Sequence, residues 1–257
     1  MMPRIDINCD LGESFGVYKL GQDEKIYPLI TSASIACGFH AGDPQVMRAS
    51  VALALQHGVA IGAHPGTPDL LGFGRRGMEL SQDEFANALI YQVGALESFA
   101  KVHHSRLSHV KPHGWLYNAA ASNLDLALTI ARAVKAVSPQ LVLFALAGSQ
   151  QVEAAIQIGL ACAQEAFIDR TYQNDGTLTS RHSDKALISD PEKAAQQALS
   201  IVLAGKVQAV DRTPVEIRAD TLCVHGDNPN AVSVLTEVRK GLLDAGVTIL
   251  PYGSPDS

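Results

Sequence analysis

The chain has 257 residues, 47% apolar, 18% charged and 5% aromatic, with 20 Lys and Arg against 26 Asp and Glu for a formal net charge of −6. So apolar and sparsely charged a chain has a core to bury, which excludes intrinsic disorder, and 12 prolines and 21 glycines without a fixed period exclude a fibrous chain. A pI near 5.8 with no basic run argues against a nucleic-acid partner, and no apolar run approaches the ~20 residues that span a bilayer. The opening Met1-Met2-Pro3-Arg4-Ile5-Asp6 lacks the apolar core of a signal peptide, so a cytoplasmic location is expected. Cys9, Cys37, Cys162 and Cys223 are widely spaced, with no C-x-x-C pair, and read as buried reduced thiols.

In chain order, the first apolar run, 5–9, predicts a strand, and 34–37 a second. Asp43-Pro44 then reads as an N-cap with proline at the first helical position. A third strand at 59–63 precedes a helix that opens on a capping box, Ser81 and Glu84, with Phe85, Leu89, Val93, Leu96 and Ala100 as its apolar stripe. A strand at 107–111 follows, then a helix marked by Leu124, Leu128, Ala131 and Val134, then a strand at 141–144. The run 160–163 is a weaker strand candidate, and Asp190-Pro191 starts another helix. Residues 205–219 read as a β-hairpin decoration: two short apolar runs flank Asp211-Arg212-Thr213-Pro214. A strand at 222–224, a helix start at Asn228-Pro229 and a weak strand at 247–250 complete the chain. Alternating strands and helices, with strands that look continuously apolar, predict a parallel sheet covered on its faces. Seven or eight such units suit a closed TIM-like (β/α) barrel, with an open doubly wound sheet as the alternative. One domain spanning 1–257 is expected.

The chemistry sits where the strands end. Asp10 and Glu13 follow the first strand, His40 and Asp43 the second, His64 the third, Lys111 and His113 the fourth, and His225 and Asp227 the run at 222–224. In a parallel barrel these ends share one face, where active sites are built. Each residue alone has a plainer reading: Asp43 and Asp227 as helix caps, a single buried histidine as a local hydrogen-bonding group. Four of the nine histidines at equivalent strand ends favour a site. Asp10 and Glu13 in a histidine-lined crevice suit a metal or a general base. Lys111, ending an apolar strand, needs a partner and is expected to meet an anion or carbonyl. The glycine-rich loop carrying Arg75 and Arg76 offers guanidinium forks to a carboxylate or phosphate. Asp169 and Arg170, after Glu165-Ala166-Phe167, are weaker candidates that salt bridges explain nearly as well.

No P-loop, dinucleotide fingerprint, nucleophile elbow or H-E-x-x-H occurs. A divalent metal would need dispersed ligands, for example Asp10, His64 and His113. The candidate catalytic set is therefore Asp10, Glu13, His40, His113 and Lys111. The candidate substrate- or phosphate-binding set is Arg75, Arg76, Asp43, His225, Asp227, Asp169 and Arg170.

Taken together, the stretches Asn8-Cys9-Asp10-Leu11-Gly12-Glu13, Ile35 to Pro44, Gly62-Ala63-His64-Pro65-Gly66, Asp69 with Gly72 to Arg76, Val110 to Gly114, Glu165 to Arg170 and Val224 to Asp227 resemble the LamB/YcsF family. Ser34, Thr67 and Trp115 depart from the family pattern, where Asn, an aromatic residue and Ala are usual. The resemblance implies a TIM-like barrel related to the glycoside hydrolase/deacetylase superfamily. It also implies ATP-dependent opening of 5-oxoproline to glutamate with partner subunits B and C. Phosphorylating the lactam oxygen would turn a poor electrophile into a good one, which needs cationic donors and a base. On that reading Asp10 is base or metal ligand, His64 and His113 are co-ligands or proton relays, and Lys111 and Arg75 meet the substrate carboxylate or phosphate. A stand-alone metal-dependent amidase or deacetylase, and a non-catalytic substrate-binding protein, are the competing readings.

Overall fold

The computed structural model describes residues 3–181 and 183–254. In chain order its elements are β1 (Arg4–Leu11), α1 (Asp23–Ile26), β2 (Ser32–Ala36), α2 (Pro44–Gln56), β3 (Ala60–His64), α3 (Gln82–Val102), β4 (His109–Val110), α4 (Gly114–Ser122) and α5 (Leu124–Val137). There follow β5 (Val142–Leu146), α6 (Gln150–Ile158), β6 (Cys162–Phe167), α7 (Pro191–Leu199), β7 (Lys206–Gln208), β8 (Pro214–Glu216), β9 (Thr221–His225), α8 (Ala231–Asp244) and β10 (Thr248–Ile249). Strands β1 to β6 pair in order, all parallel, and β9 joins β6 to β1, so seven strands close a barrel. The weak candidate at 160–163 is the start of barrel strand β6, whereas that at 247–250 is β10, which pairs only with the beginning of β1. The expected hairpin is present as the antiparallel pair β7–β8, immediately before β9.

The helix starts follow local chemistry. Ser81 and Glu84 form the capping box of α3, and Asp43 and Asp190 cap α2 and α7. The expected start at Asn228 is displaced. There Asn228 accepts from Asn230 N in a turn, and α8 begins at Ala231.

One expectation is overturned in a way that matters for the site. The barrel strands are mostly buried but not apolar throughout. On β1, Ile5, Ile7, Cys9 and Leu11 belong to the hydrophobic core, while the intervening Asp6, Asn8 and Asp10 hydrogen-bond or ion-pair to residues of other barrel strands or their flanks. The strand period of two therefore puts an aliphatic layer outside and a polar column inside. Asp6 accepts from Thr31, Ser32 and Thr221 hydroxyls, and Asn8 donates to Glu165 and Thr221. His109 reaches Ser34 and stacks on Phe144. Gly62 on β3 makes room for that ring, since a Cβ there would collide with the His109 imidazole. Three of the four cysteines are buried as expected and all are free, but Cys162 is only half-buried.

Burial pushes the Asp6 carboxyl up to about 6, against the pull of its three hydroxyl donors and with Glu165 adding to the rise. The folded state thus holds this proton more tightly than the unfolded chain. The resulting stabilisation is complete below about pH 4 and is lost as pH climbs through 6, a decline of about 3 kcal/mol. Urea-unfolding midpoints measured across pH 4–7 should show this limb, and Asp6→Asn should flatten it.

Candidate active site

Four loops at the carboxyl ends of β1 to β4 build the site. After β1 the chain turns through Gly12 and brings in Glu13. After β2, Gly38 N donates to Ala41 O in the tight turn that presents His40. His64 is the last residue of β3, and the following Gly66 is clamped by the buried Gln92 amide of α3, which takes its N–H and donates to its carbonyl. Lys111 N donates to Ala63 O, and His113 N to Pro65 O, so the β4 loop rides on the β3 loop.

At the floor, the Lys111 ammonium is fully buried. It lies 2.8 Å from Asp10 Oδ1 and 2.8 Å from Glu165 Oε1, with Cys223 Sγ at 3.0 Å and the Phe167 ring 5.1 Å away. Glu165 Oε2 accepts from the Tyr117 hydroxyl at 2.7 Å. Burial alone would lower the lysine pKa, but Asp10, Cys223 and Glu165 hold it well above the usual range. Burial likewise works to raise the Asp10 pKa, and His64 and Lys111 outweigh it, keeping the carboxylate ionised.

Above this floor three imidazoles meet. His40 and His113 stack in parallel with ring centres 3.6 Å apart, and His64 stands edge-on to both. His64 Nδ1 donates to the Lys111 carbonyl at 2.7 Å, and His113 Nε2 donates to the Phe73 carbonyl at 2.8 Å. A carbonyl can only accept, so both tautomers are set. The remaining nitrogens, His64 Nε2 and His113 Nδ1, face each other at 2.9 Å. In two neutral rings both would present lone pairs, so the contact requires a shared proton or a cation. Asp10 Oδ2 lies 3.4 Å from His64 Nε2, and Glu13 Oε1 lies 3.6 Å from His113 Nδ1 and 3.3 Å from His40 Nε2. Burial depresses the His40 and His113 pKa values, with the neighbouring imidazoles adding to the effect. The His40 Nδ1 is buried without a partner among the described residues.

The loop after β3 is held under strain to make this possible. Phe73 adopts φ 54°, a left-handed conformation unusual for an aromatic residue, and it is Phe73 whose carbonyl meets His113. The next residue, Gly74, has no substitute: φ is +61°, and a Cβ would sit 2.8 Å from the His40 Cβ and 2.9 Å from His113 Cδ2.

The site opens into a cavity of about 640 Å³ whose lining includes Asp10, His64, His113, Arg75, Arg170 and His225. His225 pairs with the buried Asp169 at 3.0 Å and stacks on Phe167. Arg75 reaches across to Asp227 at 2.5 Å. The sequence-derived candidates therefore divide. Asp10, Glu13, His40, His64, Lys111 and His113 converge. Asp43 does not: its carboxylate caps α2 through Gln45 and Val46 and takes the Gly16 N–H. Arg76 is tied to Asp69, and Asp169 to His225, so neither carries a free charge into the cavity. Lys111 meets internal carboxylates rather than a ligand's. Tyr117, Gln92 and the Phe73 carbonyl escaped the sequence reading, and Glu165 entered it only within a weaker stretch that salt bridges explain. Only Glu165 had a signal, as an acid near a strand end. Of the departures from the family pattern, Ser34 contacts His109 inside the barrel, Thr67 is buried, and Trp115 lines the cavity.

A profile of the LamB/YcsF family matches residues 5–256. This chain belongs to the LamB/YcsF family. It is 54% identical over 246 residues to the A component of the 5-oxoprolinase of Heliobacterium modesticaldum, covering 96% of this chain and 97% of that one. The component of the same name from Tolumonas auensis is also 54% identical, over 96% of this chain and 99% of its own. The crystal structure of a lactam utilization protein from Thermus thermophilus superposes with a TM-score of 0.91 at 48% identity, over 96% and 99% of the two chains.

In this LamB/YcsF chain, the buried group able to hold a metal comprises Glu13, His40, His64 and His113, whose donor atoms all lie within 4.8 Å of one another. Of the expected ligands Asp10, His64 and His113, the two histidines belong to this group, while the Asp10 carboxylate lies 2.8 Å from the Lys111 ammonium and 3.4 Å from His64 Nε2. The donor chemistry fits a divalent cation. Two lone pairs already converge, each fixed by a carbonyl behind its ring, which is how metal-binding histidines are oriented. Three imidazoles and one carboxylate suit zinc or a neighbouring transition metal better than magnesium or calcium. Calorimetry with Zn²⁺, and the visible spectrum with Co²⁺, should show one site per chain, weakened at least tenfold in His64→Ala and in Glu13→Gln.

The Lys111 sandwich makes its own prediction. Lys111→Met leaves Asp10 and Glu165 facing each other unscreened and should cost about 3–5 kcal/mol by denaturant unfolding. Adding Glu165→Gln should restore part of that loss.

Proposed function

We propose that this chain is the lactam-opening subunit of an ATP-dependent 5-oxoprolinase, hydrolysing 5-oxo-L-proline to L-glutamate together with partner subunits B and C. The observation that carries the reading is the pair of imidazoles whose lone pairs converge beside two carboxylates at the mouth of the barrel. The names of the relatives support the substrate. Hydrolysis of a five-membered lactam needs an activated carbonyl, a water aimed at it, and a proton for the departing nitrogen.

The residues of this chain suit those tasks. Asp10, held ionised, faces His64 Nε2 at 3.4 Å and stabilises positive charge on that ring. Water poised at His64 or His113 gives up its proton to the imidazole pair as it attacks. The same pair returns the proton to the ring nitrogen as the C–N bond breaks, which balances the step. The Lys111 and Phe73 carbonyls keep both rings in register throughout. A divalent cation held by Glu13, His40, His64 and His113 would occupy those imidazole lone pairs, passing the proton relay to the neighbouring Asp10 carboxylate, and would supply Lewis-acid polarisation of the substrate oxygen. ATP enters as co-substrate: phosphorylation of the lactam oxygen releases ADP, and the phosphate leaves as the attack of water completes the hydrolysis. The need for ATP and the free thiols support a cytoplasmic setting for the reaction.

The competing reading of a stand-alone amidase keeps the same cluster and drops ATP. Reconstitution with the two partner subunits separates them: 5-oxoproline should stimulate ADP release only in the complete mixture. Asp10→Asn and His113→Ala should each lower glutamate formation at least 100-fold with unchanged circular dichroism. Near-normal turnover in both variants would reject the assignment.

A further inference from the structure

The cavity has a second, basic half whose charge is not balanced from within. Arg75 is matched by Asp227 and Arg76 by Asp69. Arg170 is different. It is 4% exposed, it lines the same cavity as His64 and His113, and its guanidinium donates to neutral carbonyls. Nε donates to Ala186 O at 3.3 Å and Nη2 to Thr179 O at 2.6 Å. No carboxylate of the described residues forms an ion pair with it, because the adjacent Asp169 is turned to the His225 ring and backbone N–H. Nη1 has no hydrogen-bond partner among the described residues. Burial, then Arg181 beside it, pull its pKa down to about 10. Arg181 is exposed, lines the same cavity, and makes no ion pair among the described residues.

A buried guanidinium fixed by two carbonyls, with a second guanidinium adjacent, is a fork set to receive two oxygens of one anion. We propose that Arg170, assisted by Arg181, is the oxyanion-recognising group of the cavity, so that the chain selects an anionic lactam over a neutral one. The inference rests on the lactam reading for the source of the oxyanion, not for the existence of the site. An anion anchored there leaves the rest of a small ligand to extend toward the imidazoles in the other half of the cavity. In 5-oxoproline the carboxylate and the carbonyl flank the ring nitrogen, which suits such two-ended binding. A phosphate oxygen pair has the same chemistry, and the test separates the two sources.

Calorimetry on the full chain would use 5-oxo-L-proline, its carboxamide and inorganic phosphate, with Arg170→Gln and Arg181→Gln as variants. We expect the acid to bind at least tenfold more tightly than the carboxamide. Arg170→Gln should erase that preference, Arg181→Gln should reduce it severalfold, and phosphate should compete with the acid. Arg170-dependent phosphate binding without competition, or without any binding of 5-oxoproline, keeps the oxyanion site and assigns it to phosphate; the second result also removes the lactam reading. Because Arg170 ties down the loop through Thr179 and Ala186, thermal melts accompany each titration. Should Arg170→Gln fail to fold, Arg181→Gln alone decides. Wild-type affinity for both anions in the folded variants, or no binding of either anion by the unaltered chain, overturns the proposal.

Discussion

Everything at the mouth of this barrel depends on how one buried ammonium is compensated. Lys111 sits between Asp10 and Glu165 at 2.8 Å from each and is 2% exposed. Removing charges from water costs several kcal/mol per ion unless partners and further hydrogen bonds replace the solvent. Here Tyr117 and Asn8 complete the set by donating to Glu165. The same residue reaches the imidazoles by its backbone, because the Lys111 carbonyl takes the His64 Nδ1 proton. Side chain and main chain of one position thus fix both the ionisation of Asp10 and the tautomer of His64.

That coupling explains why β4 can be only two residues long and still organise the site. Its continuation is held by hydrogen bonds of Lys111 and His113 to the β3 segment, Ala63 and Pro65, rather than by sheet pairing. The β3 loop returns the constraint through Phe73, whose unfavourable φ directs its carbonyl at His113. Two adjacent loops therefore orient each other's histidines. Strain of this kind persists only where the surroundings over-determine it. The Gln92 clamp on Gly66 and the Asp69 contact with Gly72 N supply that over-determination.

Much of this was legible in the sequence because strand ends in a parallel barrel share a face. The alternation of short runs with capped helices pointed to the barrel, and His or acid beside Gly or Pro after each run pointed to the convergent set. What sequence hides is which neutralises which. Asp10 and Glu13 look equivalent three residues apart, yet Lys111 claims the first and leaves the second to the imidazoles. Asp43 carries the same Asp-before-Pro signal as any cap, and capping is what it does. Glu165 looked like one of several salt-bridging acids, because its partner lies 54 positions back on another strand, at Lys111. The carbonyls of Lys111 and Phe73 leave no trace at all in side-chain identity.

The reading of the strands as continuously apolar failed for a physical reason that bears on function. A closed barrel buries both faces of every strand, so burial alone does not tell core from column. Along β1 the outward Ile5, Ile7, Cys9 and Leu11 join the aliphatic layer under the helices, and hydrophobic stabilisation is concentrated there. The inward Asp6, Asn8 and Asp10 are then free to form a polar stack from the barrel base to its mouth. Such a stack is costly wherever a member lacks a partner, and its hydroxyls, amides and charges are almost all matched. At the open end the lone pairs of His64 and His113 converge, and the buried His40 Nδ1 has no partner among the described residues. The polar column of the barrel thus leads up to the convergent imidazole lone pairs at its mouth, on the face that ligands can reach.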